Sequence, residues 1–256
     1  MKKTLTDSQL KEVLLRLGDD TLVLAQRLGE WCGHAPILEE DIALTNISLD
    51  LLGRTQNYLK LAGKLHQPTK SDDDLAFHRD PEEFTNLLLL EQSNGHFGDT
   101  ICRQFLFDNF SLLLAGHLAT QEVNTEIAAI AAKAIKEIRY HVDHSSKWVL
   151  RLGGGTAESH EKIQGSLDKL WQFTDEMFEI DEVTSSAIES GLFPDLSILK
   201  SKWLDNVMST LTEAGLSIPS NVEMKYGGRN GNHTPHLAEM LEVMQVLPRT
   251  YPGTTW

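Results

Sequence analysis

Five side chains carry the outline of a buried metal site: Asp20, Asp50, Glu91, Glu137 and His141. The four carboxylates fall on four different helical stretches, each close to an apolar seam. A di-iron carboxylate centre takes one Asp or Glu from each of two helices and a Glu-x-x-His from each of the other two. The i, i+3 spacing puts both ligands on one helix face, and carboxylates with imidazoles suit iron. Here the paired motifs fail. Gly53 stands three residues after Asp50, Asn94 three after Glu91, and Tyr140 three after Glu137. His141 follows Glu137 by four. Arg54 lies four residues after Asp50, and Lys136 and Arg139 flank Glu137, so cations are at hand without a metal. The spacing predicts a vestigial polar layer made of these five residues, with no catalytic, cofactor-binding or metal-ligating residue assigned. The alternative is an independently active di-iron oxygenase that uses the same five as atypical ligands.

Other constellations are weaker. His141 with His144 reads as a hydrogen-bonded histidine and a peripheral one. His233 and His236 straddle Thr234 and Pro235, which mark a helix start, so they read as structural. Gly153-Gly154-Gly155 is not a phosphate loop, because no strand precedes it and no Lys-Ser/Thr follows. No G-x-S-x-G elbow occurs. Cys32 and Cys102 lie outside any CxxC or zinc spacing, and two reduced thiols in a reducing compartment are expected. Nothing around Cys102 implies a lowered pKa.

These side chains need elements to position them, and the chain is rich in helical signals. A seam of Leu10, Leu14, Leu17, Thr21, Leu24, Leu28 and Trp31 predicts a helix over about 7–32, stopped by Gly33 and Pro36. A second helix is expected over about 38–65, with Ile42, Leu49, Leu52 and Leu59 on its face. Residues 71–80 read as a loop. Pro81, with Glu82 and Glu83 behind it, predicts a third helix that kinks at Ser93-Asn94-Gly95 and resumes through Leu114. The clearest segment is about 120–152, with Ile127, Ala131, Ala134, Ile138, His141, Ser145, Trp148 and Leu152 on one seam. Further helices are expected over about 157–178 and 196–214. Residues 215–232 read as loop, and a last helix starts at Thr234 and ends before Pro248. The expected architecture is all-α. It is one domain over 1–256, with a four-helix bundle over about 7–152 and appended helices and tail over about 156–256.

Composition narrows the partners. The net charge is -14 and the isoelectric point about 5.1, which opposes a surface that tracks phosphates and excludes nucleic acid as an expected partner. The basic start Met1-Lys2-Lys3 has no apolar stretch behind it, and no run of about 18 apolar residues occurs, so neither a signal peptide nor a membrane span is expected. A cytoplasmic protein is predicted. The tail ends on Trp256 with Tyr251 nearby, either docked on its own helices or offered to a partner.

Four long segments resemble the C subunits of bacterial ring 1,2-phenylacetyl-CoA epoxidases. They are LGDDTLVLAQRLGEWCGHAPILEEDIALTNISLDLLG at 17–53, NLLLLEQSNGHFGDT at 86–100, the stretch from AKAIKEIRYH to RLGGGT at 132–156, and GGRNGNHTPHLAEMLEVMQVLPRTYPGTTW at 227–256. The resemblance covers nearly the whole chain. It implies a ferritin-like bundle acting as a non-catalytic structural subunit beside a catalytic A subunit that carries the di-iron centre. It also implies a reductase in the complex that uses NADPH, FAD and iron–sulfur. Epoxidation of the ring of phenylacetyl-CoA in aerobic phenylacetate degradation is the implied activity of that complex. Trp31, Trp148, Trp171 and Trp203 are expected to supply part of the apolar surface that meets the catalytic subunit, and a homodimer when the chain stands alone is a further expectation. A helical binding module unrelated to oxygenases is the reading this resemblance opposes.

Overall fold

The computed structural model describes residues 4–254. Among them are ten α-helices, four short 3-10 turns and no strand. The chain divides into two compact units, Thr4–Ser93 with the segment beginning at Gly227, and Asn94–Tyr226.

The first unit is built on a long helix pair, α1 (Asp7–Gly29) and α2 (Leu38–Lys64). Thr6 opens α1 with a capping box, in which its hydroxyl accepts from the Gln9 N–H and the Gln9 side chain accepts from the Thr6 N–H. The buried stripe of α1 includes Leu14, Leu24 and Leu28, as its spacing predicts, although the helix ends at Gly29 rather than near Cys32. In α2 the buried residues include Leu44, Ile47, Leu51, Tyr58 and Leu59. Ile42 and Leu49 are exposed, so the expected face of this helix is rotated. Thr55 and Thr21 join hydroxyls across the pair at 2.8 Å.

Residues 71–80 are not all loop. Ser71 and Asp74 form a capping box that starts α3 (Asp72–Phe77). Pro81 does sit at a first helical position, but the helix it begins is a single 3-10 turn, Pro81–Glu83. The chain then runs extended at Phe84 and Leu87, and only α4 (Leu88–Glu91) follows. The expected third helix is therefore two separate pieces, the other being α5 (Phe97–Leu118) in the second unit. The first unit closes with a 3-10 turn, Gly228–Asn230, and α10 (Pro235–Thr250). Pro235 starts α10 as predicted, but Pro248 lies inside the helix rather than beyond its end.

The second unit centres on α5 and α6 (Thr125–Gly153). The α6 seam is buried from Ile127 to Ser145, and Val149 takes over in the last turns where Trp148 was expected. Ala115, Ala134 and Ile138 pack together between the two helices. After α7 (Ala157–Leu170) come two 3-10 turns through Phe178, where one helix to 178 was expected. Then follow α8 (Glu182–Ser190), which the periodicity does not signal, and α9 (Leu196–Glu213). Trp203 is buried, donates its indole N–H to the Leu106 carbonyl and stacks near Trp171 and Phe178. It is core, not interface. Trp256 lies outside the described residues.

Candidate functional site

Consecutive acids on α1 face different ways, because neighbouring helix positions differ by about 100°. Asp19 and Asp20 are both buried. Each is met by an arginine fork from elsewhere in the chain. Arg79 grips both oxygens of Asp19, one contact measuring 3.0 Å, and the Thr85 N–H and hydroxyl add bonds of 2.9 and 3.0 Å. Arg229 grips Asp20 with two bonds of 2.9 Å, and the Leu87 N–H donates a third at 2.9 Å. Paired parallel N–H bonds of this kind are the strong form of a carboxylate–arginine contact. The extended backbone at 84–87 adds to them, because the Thr85 and Leu87 N–H groups point to α1 rather than into a helix.

Glu91 is fully buried at the end of α4. Its Oε2 accepts from Asn86 Nδ2 at 2.9 Å and lies 2.7 Å from His233 Nδ1. Its Oε1 accepts the Thr234 N–H at 2.6 Å. His233 Nε2 lies 2.9 Å from the Phe84 carbonyl. An oxygen thus stands at hydrogen-bond distance from each ring nitrogen, which fixes the orientation of the His233 ring. Thr234 is the N-cap of α10 as predicted, but its N–H, not its hydroxyl, makes the contact to Glu91. Arg27 binds the Glu91 carbonyl at 3.0 Å and the His236 carbonyl at 2.7 Å, tying the same segment to α1. Close approach of the chain here requires Gly228, since a Cβ there would lie 2.2 Å from the Asn86 carbonyl oxygen.

Residues 227–236 thus bring partners to two of the five candidate acids, Arg229 to Asp20 and His233 to Glu91. Asp50 sits half-buried on α2. Glu137 and His141 belong to the second unit. There, on α5 and α6, Gln104 donates to Asp108 Oδ1 at 2.7 Å and Ser145 donates to Asp108 Oδ2 at 3.3 Å. His141 is buried one turn before Ser145, and Glu137 is half-buried a turn earlier. Of the three positions where ligands are missing, Gly53 borders open space, Asn94 accepts from Arg103 at 2.7 Å, and Tyr140 is exposed beside His144.

The donor set does not fit a di-iron pair. Asp20 already faces the Arg229 guanidinium, and a metal there would sit against it, while Glu91 is already bonded to Asn86, His233 and Thr234. Among the described residues, no three His, Cys, Asp or Glu side chains gather as a metal site. Burial raises the Asp20 carboxyl pKa, while the Arg229 charge and bonds and the Leu87 N–H pull it back. Burial also pushes the Tyr58 phenol up to about 12 against the opposing charge of Arg54. The buried Cys102 thiol is raised by burial and by the charges of Asp99 and Asp168, which makes it a poor nucleophile. Cys32 is exposed.

Spacing does not reveal Asp19, Arg79 and Arg229, because the partners lie 60 or more residues apart. The one local signal is the run Gly227-Gly228-Arg229, in which glycines admit a close backbone and the next residue is a cation.

The chain is thus an all-α protein whose buried Asp19 and Asp20 are answered by its own arginines. The family model described as "Phenylacetic acid catabolic protein" matches residues 1–256. The chain belongs to that family, and its helical fold is the family's ferritin-like one. A relative from Escherichia coli (strain K12), the C subunit of 1,2-phenylacetyl-CoA epoxidase, is 47% identical over 249 residues. That match spans 97% of this chain and 100% of the relative. No helix among the described residues is long and apolar enough to cross a membrane.

Proposed function

We infer that this chain is a structural, non-catalytic subunit of a multicomponent oxygenase that epoxidises the ring of phenylacetyl-CoA in aerobic phenylacetate degradation. Its catalytic partner is an A-type subunit holding the di-iron centre. Reducing equivalents reach that partner through a reductase with NADPH, FAD and iron–sulfur. The relative's name supplies the reaction and the subunit status. The observation that carries the non-catalytic part is the engagement of Asp20 by Arg229 and of Glu91 by His233. An acid held in two or three such bonds has fewer lone pairs left for a metal. Work in the cytoplasm, where both thiols stay reduced, completes the reading.

The role left to such a subunit is preorganisation, in which a stiff helical body fixes the helices and substrate channel of its partner. Reconstitution tests it. The catalytic subunit purified alone is expected to lose turnover and thermal stability, and added chain is expected to restore both. A catalytic subunit that keeps full turnover and melting temperature without this chain would remove the preorganising role. Turnover by this chain alone would favour the di-iron alternative.

A further inference from the structure

The chain carries a net charge of -14, yet one face of α6 is cationic. Lys133, Lys136, Arg139, Lys147 and Arg151 are all exposed, and Asp143 is the one exposed acid over residues 127–153. Asp143 pairs with Lys147 at 2.7 Å. Lys133, Lys136, Arg139 and Arg151 have no ion-pair partner among the described residues. At about 100° per residue, Lys133, Lys136, Tyr140, Lys147 and Arg151 fall within about 60° of one another, a stripe about 27 Å long. A solvated helix face ordinarily alternates in sign, and this one does not. Aromatic rings are set along it. Tyr140 is 48% exposed, and its ring lies 6.1 Å from that of His144. The Arg151 guanidinium lies 4.7 Å above the Trp148 ring, which meets Phe97 edge-on at 5.0 Å. Phe97 and Leu152 in turn line a cavity of about 320 Å³ with His96, Thr156, Ser159 and Lys162.

We propose that this stripe is the docking face for an acidic protein that binds transiently, and that its occupant is the electron-delivering reductase of the oxygenase. The proposal rests on the subunit role inferred above. Unpaired cations on a chain of opposite net charge call for an acidic mate. A surface of cations with few apolar side chains does not fit a permanent subunit contact, which is larger and more hydrophobic. Weak electron-transfer encounters are the small class of interface, and the reductase, which passes electrons without holding substrate, is the component suited to one. Tyr, Trp and Arg are the residue types that anchor interfaces, and Tyr140, Trp148 and Arg151 stand beside the cations. The cavity beside Phe97 leaves room for an apolar side chain from the same partner. The overall negative charge of the chain opposes nucleic acid on this stripe.

Turnover of the reconstituted complex, titrated with the reductase, is the test. The KM for the reductase should rise as salt is raised from about 50 to 300 mM, with kcat nearly constant. The triple variant Lys133→Glu, Lys136→Glu, Arg139→Glu replaces exposed side chains. It should keep its helical circular dichroism and co-elute with the catalytic subunit, yet raise that KM about tenfold or more while kcat at saturating reductase holds. Tyr140→Ala should raise it less. Lys202→Glu, at an exposed cation of α9, should leave it alone. A KM indifferent to salt overturns the proposal without any variant. A KM indifferent to the triple variant, or raised as much by Lys202→Glu, overturns it as well. Loss of co-elution in the triple variant overturns it by giving the stripe to the catalytic subunit. A wild-type complex that turns over equally well without this chain removes the subunit role, and the docking with it.

Discussion

The two units hold their buried acids across different stretches of chain. On α1 and α4, Asp19 and Asp20 are matched by the full charges of Arg79 and Arg229, and Glu91 pairs with His233. On α5, Asp108 accepts from Gln104, a turn away on its own helix, and from Ser145 on the facing helix. The first arrangement is long-range: Arg229 is 209 residues from Asp20, and His233 is 142 from Glu91. The second is short-range. A buried carboxylate answered by a cation resists a metal, because its charge is already balanced within the fold. Amide and hydroxyl donors add hydrogen bonds to a polar layer.

Removing one side of the long-range pairing should cost most. Arg229→Ala leaves Asp20 buried without its fork and is expected to lower unfolding free energy by about 3–5 kcal/mol. Urea unfolding would read this as a fall in midpoint at unchanged slope. Replacing both partners, Asp20→Leu with Arg229→Met, should recover most of the loss. A double variant as unstable as the single would show that charge pairing is not what matters there.

Burial of an acid that ionises only at high pH is tested by Tyr58 in the same unit. Its folded pKa is raised, so the folded state holds the phenolic proton after the unfolded chain has lost it. Stability from this group is present below pH 10 and declines as pH rises through 10 toward 12. The loss is roughly 2–3 kcal/mol, at about 1.4 kcal/mol per pH unit. Ultraviolet titration should find Tyr58 ionising late, and Tyr58→Phe should abolish that step and that part of the alkaline destabilisation.

The short-range layer should yield a smaller effect. Ser145→Ala removes one 3.3 Å bond while Gln104 still serves Asp108, for a loss of about 1 kcal/mol. A loss as large as that of Arg229→Ala would erase the contrast between the units. Smallest of all, an aromatic disulfide reagent should label Cys32 at once and Cys102 only on unfolding, with no change in stability from the first.

What the amino acids disclose follows the same division. The α6 seam from Ile127 to Ser145 and the start of α10 at Pro235 are legible, because periodicity and caps are local signals. The buried acids Asp20 and Glu91 are legible from their place beside leucines. Their partners are not, since no spacing rule links residue 20 to residue 229. Pro81 misleads because a good first-turn sequence ends after three residues once Asp19 and Asp20 take the N–H groups of Thr85 and Leu87. The Ser71–Asp74 capping box is a local signal too, but three consecutive aspartates give it the composition of a loop. For α2, Ile42 and Leu49 share the helical spacing of a core face, and periodicity alone does not tell a buried face from an exposed one.

The most direct measurement is the iron content of the purified chain after aerobic expression with added iron, read by elemental analysis on the gel-filtered peak. Carboxylates already neutralised by Arg229 and His233 predict iron far below one atom per chain, both alone and after incubation with ferrous ion. About two irons per chain would contradict the reading and return Asp20, Asp50, Glu91, Glu137 and His141 to candidacy as ligands.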